Sequence, residues 1–237
     1  DFPGLNLTFE TRAGIIRHST IYDHAPEDDI KEFSRSPQPS IETQIVNRAD
    51  EIAYSCHDIE DGLRSGFFEE SELEELEVWK FVTSVVKEFC SLNDKDTFRY
   101  QCIRILIDRF IRDLVDQSNE NILRTGVDSP EAVMNLDFVV INFSRTMLGW
   151  KKQLDEFLYQ KFYTHHKLMR MQYKANRLLT DLFTEYVERP FQLPPGVQKR
   201  IREGIESRER IVCDYIAGMT DRYALYEHRK LFLPYEY

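Results

Sequence analysis

From Ser40 to Gly66 the stretch SIETQIVNRADEIAYSCHDIEDGLRSG repeats apolar residues at steps of three and four. Ile41, Ile45, Ala49, Ile52, Ala53, Cys56 and Ile59 fall on one stripe at a period near 3.6. A helix gathers such residues on one face, whereas a strand would scatter them over two. Ser40 offers a side-chain oxygen for the N-cap, with Glu and Gln in the first turn, and Gly62 and Gly66 offer stops. The spacing predicts a helix over about 40–63.

The same period recurs along the chain. SELEELEVWKFVTSVVKEFCS opens at Ser71 with Glu74 three residues on, the pattern of a capping box. DTFRYQCIRILIDRFIRDLVDQSNENILRTG reads as one long amphipathic helix ending near Gly126. DSPEAV restarts a short helix with Pro130 near its first position. SRTMLGWKKQLDEFLYQKFYTHH and KLMRMQYKANRLLTDLFTEYVERP form two more, the second ended by Pro190. QLPPG reads as a turn, and one or two helices follow to the end. DFVVINF is the one apolar β-branched run, and it is short. The segment from 23 to 40, with its three prolines, reads as a loop. Nine Gly and nine Pro in 237 residues suit long helices. The predicted fold class is all-α, a helical bundle.

A formal net charge of −10 excludes a broad electrostatic grip on nucleic acid, which needs clustered Lys and Arg. A local basic pocket for a small phosphate compound stays compatible with it. The four cysteines, Cys56, Cys90, Cys102 and Cys213, have no CxxC spacing and sit in apolar helical contexts. Buried free thiols of a reducing compartment are expected. No apolar run reaches the ~18 residues of a bilayer span, and no segment reads as a signal peptide, so no membrane association and a cytoplasmic location are expected. The chain opens DFPGLNLTFETRAG without an initiator Met and reads as the continuation of upstream sequence.

On the first long helix Asp50, Tyr54, Asp58 and Asp61 line one side, with His57 at its flank. A solvated helix face would show the same pattern. As a site, the strip has chemical content. Asp50 is a hard oxygen ligand for Mg²⁺ or Mn²⁺, Tyr54 supplies a flat ring and a hydroxyl, and Asp58 accepts hydrogen bonds from a sugar. One carboxylate does not hold a catalytic metal, so further ligands must come from elsewhere.

ADEIAYSCHDIEDGLRSG closely resembles the helix that carries the last metal ligand in bacterial deoxyguanosine triphosphate triphosphohydrolase-like proteins, members of the HD-domain dNTP triphosphohydrolases. GLNLTFETRAGIIRHST, VINFS, FLYQKFYTHHKL and VCDYIAGMTDRYALYEHRKLF resemble the same family in the same order, over nearly the whole chain. The resemblance implies an HD-type bundle whose C-terminal portion this is. Residues 1–66 would complete the HD catalytic core, and residues 67–237 would complete the substrate pocket and oligomer contacts. The family's metal pattern is H…HD…D. By resemblance Asp50 is its last Asp, and the H…HD segment is expected upstream of residue 1. His57-Asp58 is not that dyad.

The resemblance also implies a reaction. A dNTP, dGTP or similar, is hydrolysed at the α-phosphate to a deoxynucleoside and tripolyphosphate. A divalent metal polarises the phosphoryl oxygen and can generate a hydroxide nucleophile, while cationic side chains balance the triphosphate. In the related mammalian SAM-and-HD-domain hydrolase the metal Asp is followed by Tyr four residues on and Asp eight on. By that match Tyr54 lines the sugar-phosphate site and Asp58 holds the deoxyribose 3′-hydroxyl. A phosphate-contacting Lys follows the metal Asp there, but Glu51 stands at that position here. Tyr163 matches an aromatic set against the deoxyribose, and His165 fits the pattern without a role. A homo-oligomer is expected, and 1–237 alone is expected not to hydrolyse dNTPs. Two other readings stay open: a non-catalytic assembly or effector-binding module working with a separate HD half, and an HD-type phosphodiesterase.

Elsewhere the bland readings are preferred. His18 and His24 are expected at the surface or in packing, and His57 is expected to pair with Glu60 or Asp61. His165 and His166 are expected at the negative end of a helix. Asp214, Asp221 and Arg222 read as a buried hydrogen-bonded core. Arg99, Arg104, Arg109 and Arg112 read as salt-bridge partners of the acidic segment 69–77.

Overall fold

The computed structural model describes residues 4–18, 31–33, 36–89 and 94–234. Cys90, His24 and most of the expected loop over 23–40 lie outside them. The described residues form helices and connecting segments, with no strand among them. In chain order these are α1 (Phe9–Ile16), a 3₁₀ turn (Lys31–Phe33), α2 (Ile41–Ser65), α3 (Glu70–Leu73), α4 (Glu77–Phe89), α5 (Lys95–Thr125), α6 (Pro130–Met134) and α7 (Arg145–Leu158). A π-helical turn (Tyr159–Tyr163) continues α7. Then come α8 (His166–Glu188), a 3₁₀ turn (Pro190–Gln192), α9 (Pro195–Glu203), α10 (Arg208–Ala217) and α11 (Asp221–Phe232). The all-α expectation holds.

Two compact units divide the chain at Tyr163 and Thr164. The boundary expected at 66/67 follows the family's functional parts, and compactness divides the chain elsewhere. In the first unit α2, α4, α5 and α7 surround one core. Ile59, Trp79, Leu106, Phe110, Leu154 and Leu158 are each at most 1% exposed. The second unit has its own core, with Leu182 and Tyr186 of α8 against Val212 of α10 and Ala224 of α11.

Caps placed by sequence appear where polar oxygens precede apolar periodicity. Ser40 caps α2 as expected, accepting from the Thr43 amide, and Pro130 opens its helix as expected, behind a Ser129 cap that accepts from the Ala132 amide and was not foreseen from sequence. Gly66 and Gly126 close α2 and α5 with φ of 64° each, a conformation costly for other residues. The capping box falls at Glu69 and Glu72 instead of Ser71 and Glu74, because Ser71 already lies inside α3. Three helices follow the Pro194-Pro195 turn, not one or two. Gly204 in the left-handed region ends α9 (φ 66°), and Thr220 caps α11.

Gly62 is a packing requirement. A β-carbon there would sit 2.1 Å from Cε1 of Phe68, whose ring stands edge-on to Phe157. The apolar stripe of α2 holds only in its second half. Ile52, Cys56 and Ile59 are buried, but Ile45, Ala49 and Ala53 are exposed. Thr43 and Gln44 are buried in their place.

The polar burial has a purpose. DFVVINF is neither strand nor helix, so its backbone needs side-chain partners. Gln44 Oε1 accepts from the amides of Val140 (2.9 Å) and Ile141 (3.1 Å), and its Nε2 donates to the Pro39 carbonyl. Asn121 Nδ2 donates to the Val140 carbonyl (2.9 Å), and Ser118 Oγ accepts from the Asn142 amide (3.2 Å). Asp113 accepts from both the amide and the hydroxyl of Ser144, the N-cap of α7. The segment thus threads between α2 and α5 on a ladder of side chains and delivers α7 to the core.

Several expected pairings fall elsewhere. Arg99 and Arg112 pair within α5, with Asp96 (3.6 Å) and Asp108 (2.7 Å), and Arg109 lies over the Phe81 ring. No ion pair joins these arginines or Arg104 to residues 69–77 among the described residues, since i,i+3 and i,i+4 partners are nearer. Asp221 and Arg222 are exposed. Asp214 pairs outward with Arg210 (2.9 Å), so no buried core forms there. Cys56 and Cys102 are buried as expected, and burial pushes each thiol up to about 12. Cys213 is exposed.

Candidate functional site

α2 spaces its polar strip by one turn per step. Asp50 is 48% exposed and lines a cleft of about 600 Å³ between α1 and α2, together with Ile15, His18, Thr43 and Val46. His18 sits there for a physical reason. Its Nδ1 hydrogen-bonds Asn47 Oδ1 (2.6 Å), which turns Nε2 toward Asp50 Oδ2 at 3.8 Å. The sequence reading placed His18 in a surface or packing role and missed this neighbour. Asn47, three residues before Asp50 on the same helix, was the available signal.

Tyr54 lies one turn further, beside a second cleft of about 520 Å³. The ammonium of Lys151, from α7, lies over its ring at 5.5 Å. Lys151 is 6% exposed. It donates to both carboxylate oxygens of Asp155 (2.9 and 2.7 Å), and Ser55 Oγ donates to the same carboxylate (3.4 Å). A buried ammonium needs such a partner. Lys151 to Asp155 is an i,i+4 step on α7, legible in sequence, but its meeting with Tyr54 depends on the packing of α7 against α2. Glu51 turns to Arg48, which donates to both of its oxygens (2.8 and 2.9 Å).

Asp58, a further turn along, meets Tyr163 across 105 residues of sequence, the phenol donating to Asp58 Oδ2. The π-helical turn 159–163 positions that phenol, and the Tyr163 ring stands edge-on to Phe162 at 5.4 Å. Asp58 is half-buried, and burial raises its pKa. The Tyr163 hydrogen bond opposes the rise, Asp61 adds to it, and His57 opposes it. His57 itself is exposed. His165 is the N-cap of α8, its Nδ1 accepting from the Lys167 amide, so His165 and His166 lie at the positive end of a helix and not at the expected negative one.

The fold thus joins Asp58 to Tyr163 and sets Tyr54 between Asp50 and Asp58 on the same strip of α2. Among the described residues no group of three His, Cys, Asp or Glu converges to hold a metal. Asp50 fits a metal as one hard oxygen donor and His18 as a neighbouring nitrogen.

A family model described as a phosphohydrolase-associated domain matches residues 141–230. Over 235 residues the chain is 43% identical to a deoxyguanosinetriphosphate triphosphohydrolase-like protein of Geobacter metallireducens and 42% identical to one of Geobacter sulfurreducens. Each match covers 99% of this chain and 60% of the relative. A protein of the same description from Thiobacillus denitrificans is 37% identical, over 98% of this chain and 61% of its own length. The chain therefore spans about three fifths of the length of the curated relatives it matches. Over nearly every one of its residues the chain is thus similar to part of deoxyguanosinetriphosphate triphosphohydrolase-like proteins, and its residues 141–230 match the phosphohydrolase-associated domain.

Proposed function

We propose that residues 1–237 carry the deoxynucleotide-binding side of a metal-dependent dNTP triphosphohydrolase. The observation that carries this reading is the bond between Tyr163 and Asp58, two residues 105 apart in sequence. Tyr54 stands one turn before Asp58 and Asp50 two turns before it. In the proposed site Asp58 accepts from the deoxyribose 3′-hydroxyl, and the Tyr163 ring occupies the space a 2′-hydroxyl would need. Tyr54 lines the sugar-phosphate junction. The cleft beside Tyr54 holds Lys151 and Arg48, each paired there with a carboxylate, Asp155 and Glu51, so further cations to balance the triphosphate would come from outside this cleft. Asp50 would be one ligand of a divalent metal such as Mg²⁺ or Mn²⁺, the others coming from a segment with the H…HD pattern. When bound, the metal supplies Lewis acidity and an activated water.

The test uses residues 1–237 together with such a segment. Asp50→Ala should abolish metal-dependent release of tripolyphosphate from dGTP. Asp58→Asn and Tyr163→Phe should preserve metal binding and lower kcat/KM for dNTPs by about tenfold or more, whereas Tyr163→Ala, which removes the ring, should lessen discrimination against GTP. Full activity in Asp50→Ala would sink the reading. Residues 1–237 alone should release no tripolyphosphate.

A further inference from the structure

Lys151 is the one buried cation among the described residues. One residue on, Lys152 makes the same i,i+4 step to Glu156, at 3.8 Å, but with side chains 77% and 62% exposed. An exposed pair of that kind adds little to stability and costs little to form. Burying an ammonium is costly even beside a good partner, and an apolar side chain of similar size often serves stability as well or better. Where packing alone is at stake, α7 does use apolar residues, Leu154 and Leu158. The charge at position 151 therefore calls for a use other than packing.

The contacts say where that charge is directed. An ammonium has three protons. Two suffice for Asp155, whose oxygens lie 2.9 and 2.7 Å from Nζ. Nζ also stands 5.5 Å from the centroid of the Tyr54 ring, inside the ~6 Å reach of a cation–π contact. Buried Ser55 donates to the Asp155 carboxylate from the α2 side. Lys151 and Asp155 thus hold two successive residues of α2, Tyr54 by its ring and Ser55 by its hydroxyl. Tyr54 lies one turn beyond Asp50 and one turn before Asp58. The charge reaches Cys56 as well, where it opposes the upward push of burial on the thiol.

A tyrosine ring half-exposed beside a cleft has a soft χ2 torsion, and a cation over its face limits how far the ring can turn. Such contacts strengthen as water is removed from the cation, which gives the burial of Lys151 a physical purpose. We infer that Lys151 is a positioning residue of the deoxynucleotide site. Its ammonium, held by Asp155, fixes the plane of the Tyr54 ring at the sugar-phosphate junction and touches no part of the substrate itself. This assignment rests on the role proposed above for Tyr54. It also explains how a cation already paired with a carboxylate serves the site: it acts on the ring and not on the phosphates.

Two measurements test it. In carbon–proton NMR spectra of residues 1–237, the ε-methylene protons of Lys151 should lie upfield of the other lysines through the ring current of Tyr54. Tyr54→Leu should return them to the common position. The second measurement adds a segment with the H…HD pattern and follows tripolyphosphate release from dGTP. Lys151→Met with Asp155→Asn removes both charges and leaves Ser55 an acceptor. It should lower kcat/KM about tenfold with an unchanged urea midpoint. In a Tyr54→Leu background the same two substitutions should have no further effect, because they act through the ring. Lys152→Met should match wild type throughout. Lys151 protons at the common position, an unchanged kcat/KM, or a loss that persists undiminished in Tyr54→Leu would each overturn the inference. So would a loss that tracks a lowered urea midpoint, which marks a structural role only. Release that is absent from the wild type, or that survives Asp50→Ala, counts instead against the site reading, and the NMR result then decides whether Lys151 holds the ring.

Discussion

Asp58 shows how a single side chain is shaped by its surroundings. Burial raises its pKa, and the phenol of Tyr163 pulls it back by donating to the ionised form. The native carboxyl therefore binds its proton more tightly than the unfolded chain does. Its contribution to stability is present below the ordinary Asp pKa and is lost as pH rises through the raised native value. Tyr163→Phe removes the donor and should raise the Asp58 pKa further, as read by an NMR titration of the side-chain carboxyl. An unchanged or lowered value would mean that the phenol does not bond the carboxylate in solution. Residue identity made Asp50, Tyr54 and Asp58 legible as a strip, because their spacing is a local property of one helix. Lys151 was not legible as their neighbour, since nothing near it in sequence indicates that α7 packs beside α2.

At the level of elements, α2 and the segment 137–144 explain each other. Apolar periodicity predicted the helix and its Ser40 cap, and both stand where expected. The same periodicity placed Ile45, Ala49 and Ala53 in the core, where the structure puts Thr43 and Gln44. Gln44 is buried because the non-regular segment beside it has amides that no strand or helix partner satisfies. Gln44→Leu should leave the Val140 and Ile141 amides and the Pro39 carbonyl unpaired and cost about 3 kcal/mol in urea unfolding. A loss below about 1 kcal/mol would show that water replaces the side chain there. Sequence alone could not place this ladder, because Gln44 and Val140 lie 96 residues apart.

On the scale of the molecule, two cores with no shared residue imply two cooperative units. Calorimetry should resolve two transitions. Leu106→Ala should lower one of them and Leu182→Ala the other, each by about 2–5 kcal/mol of local stability for a cavity in a dry core. A single transition shifted equally by both substitutions would argue for one cooperative fold. The order of amino acids determined the helices, most of their caps and the turn-by-turn strip on α2, because hydrogen bonds and side-chain neighbours within a helix reach only four residues. Tertiary structure alone decided that Tyr163 reaches Asp58, that Lys151 lies over Tyr54 and that the compact boundary falls after the π-helical turn. Those outcomes follow from close packing between helices far apart in the chain, and no local pattern encodes which faces meet.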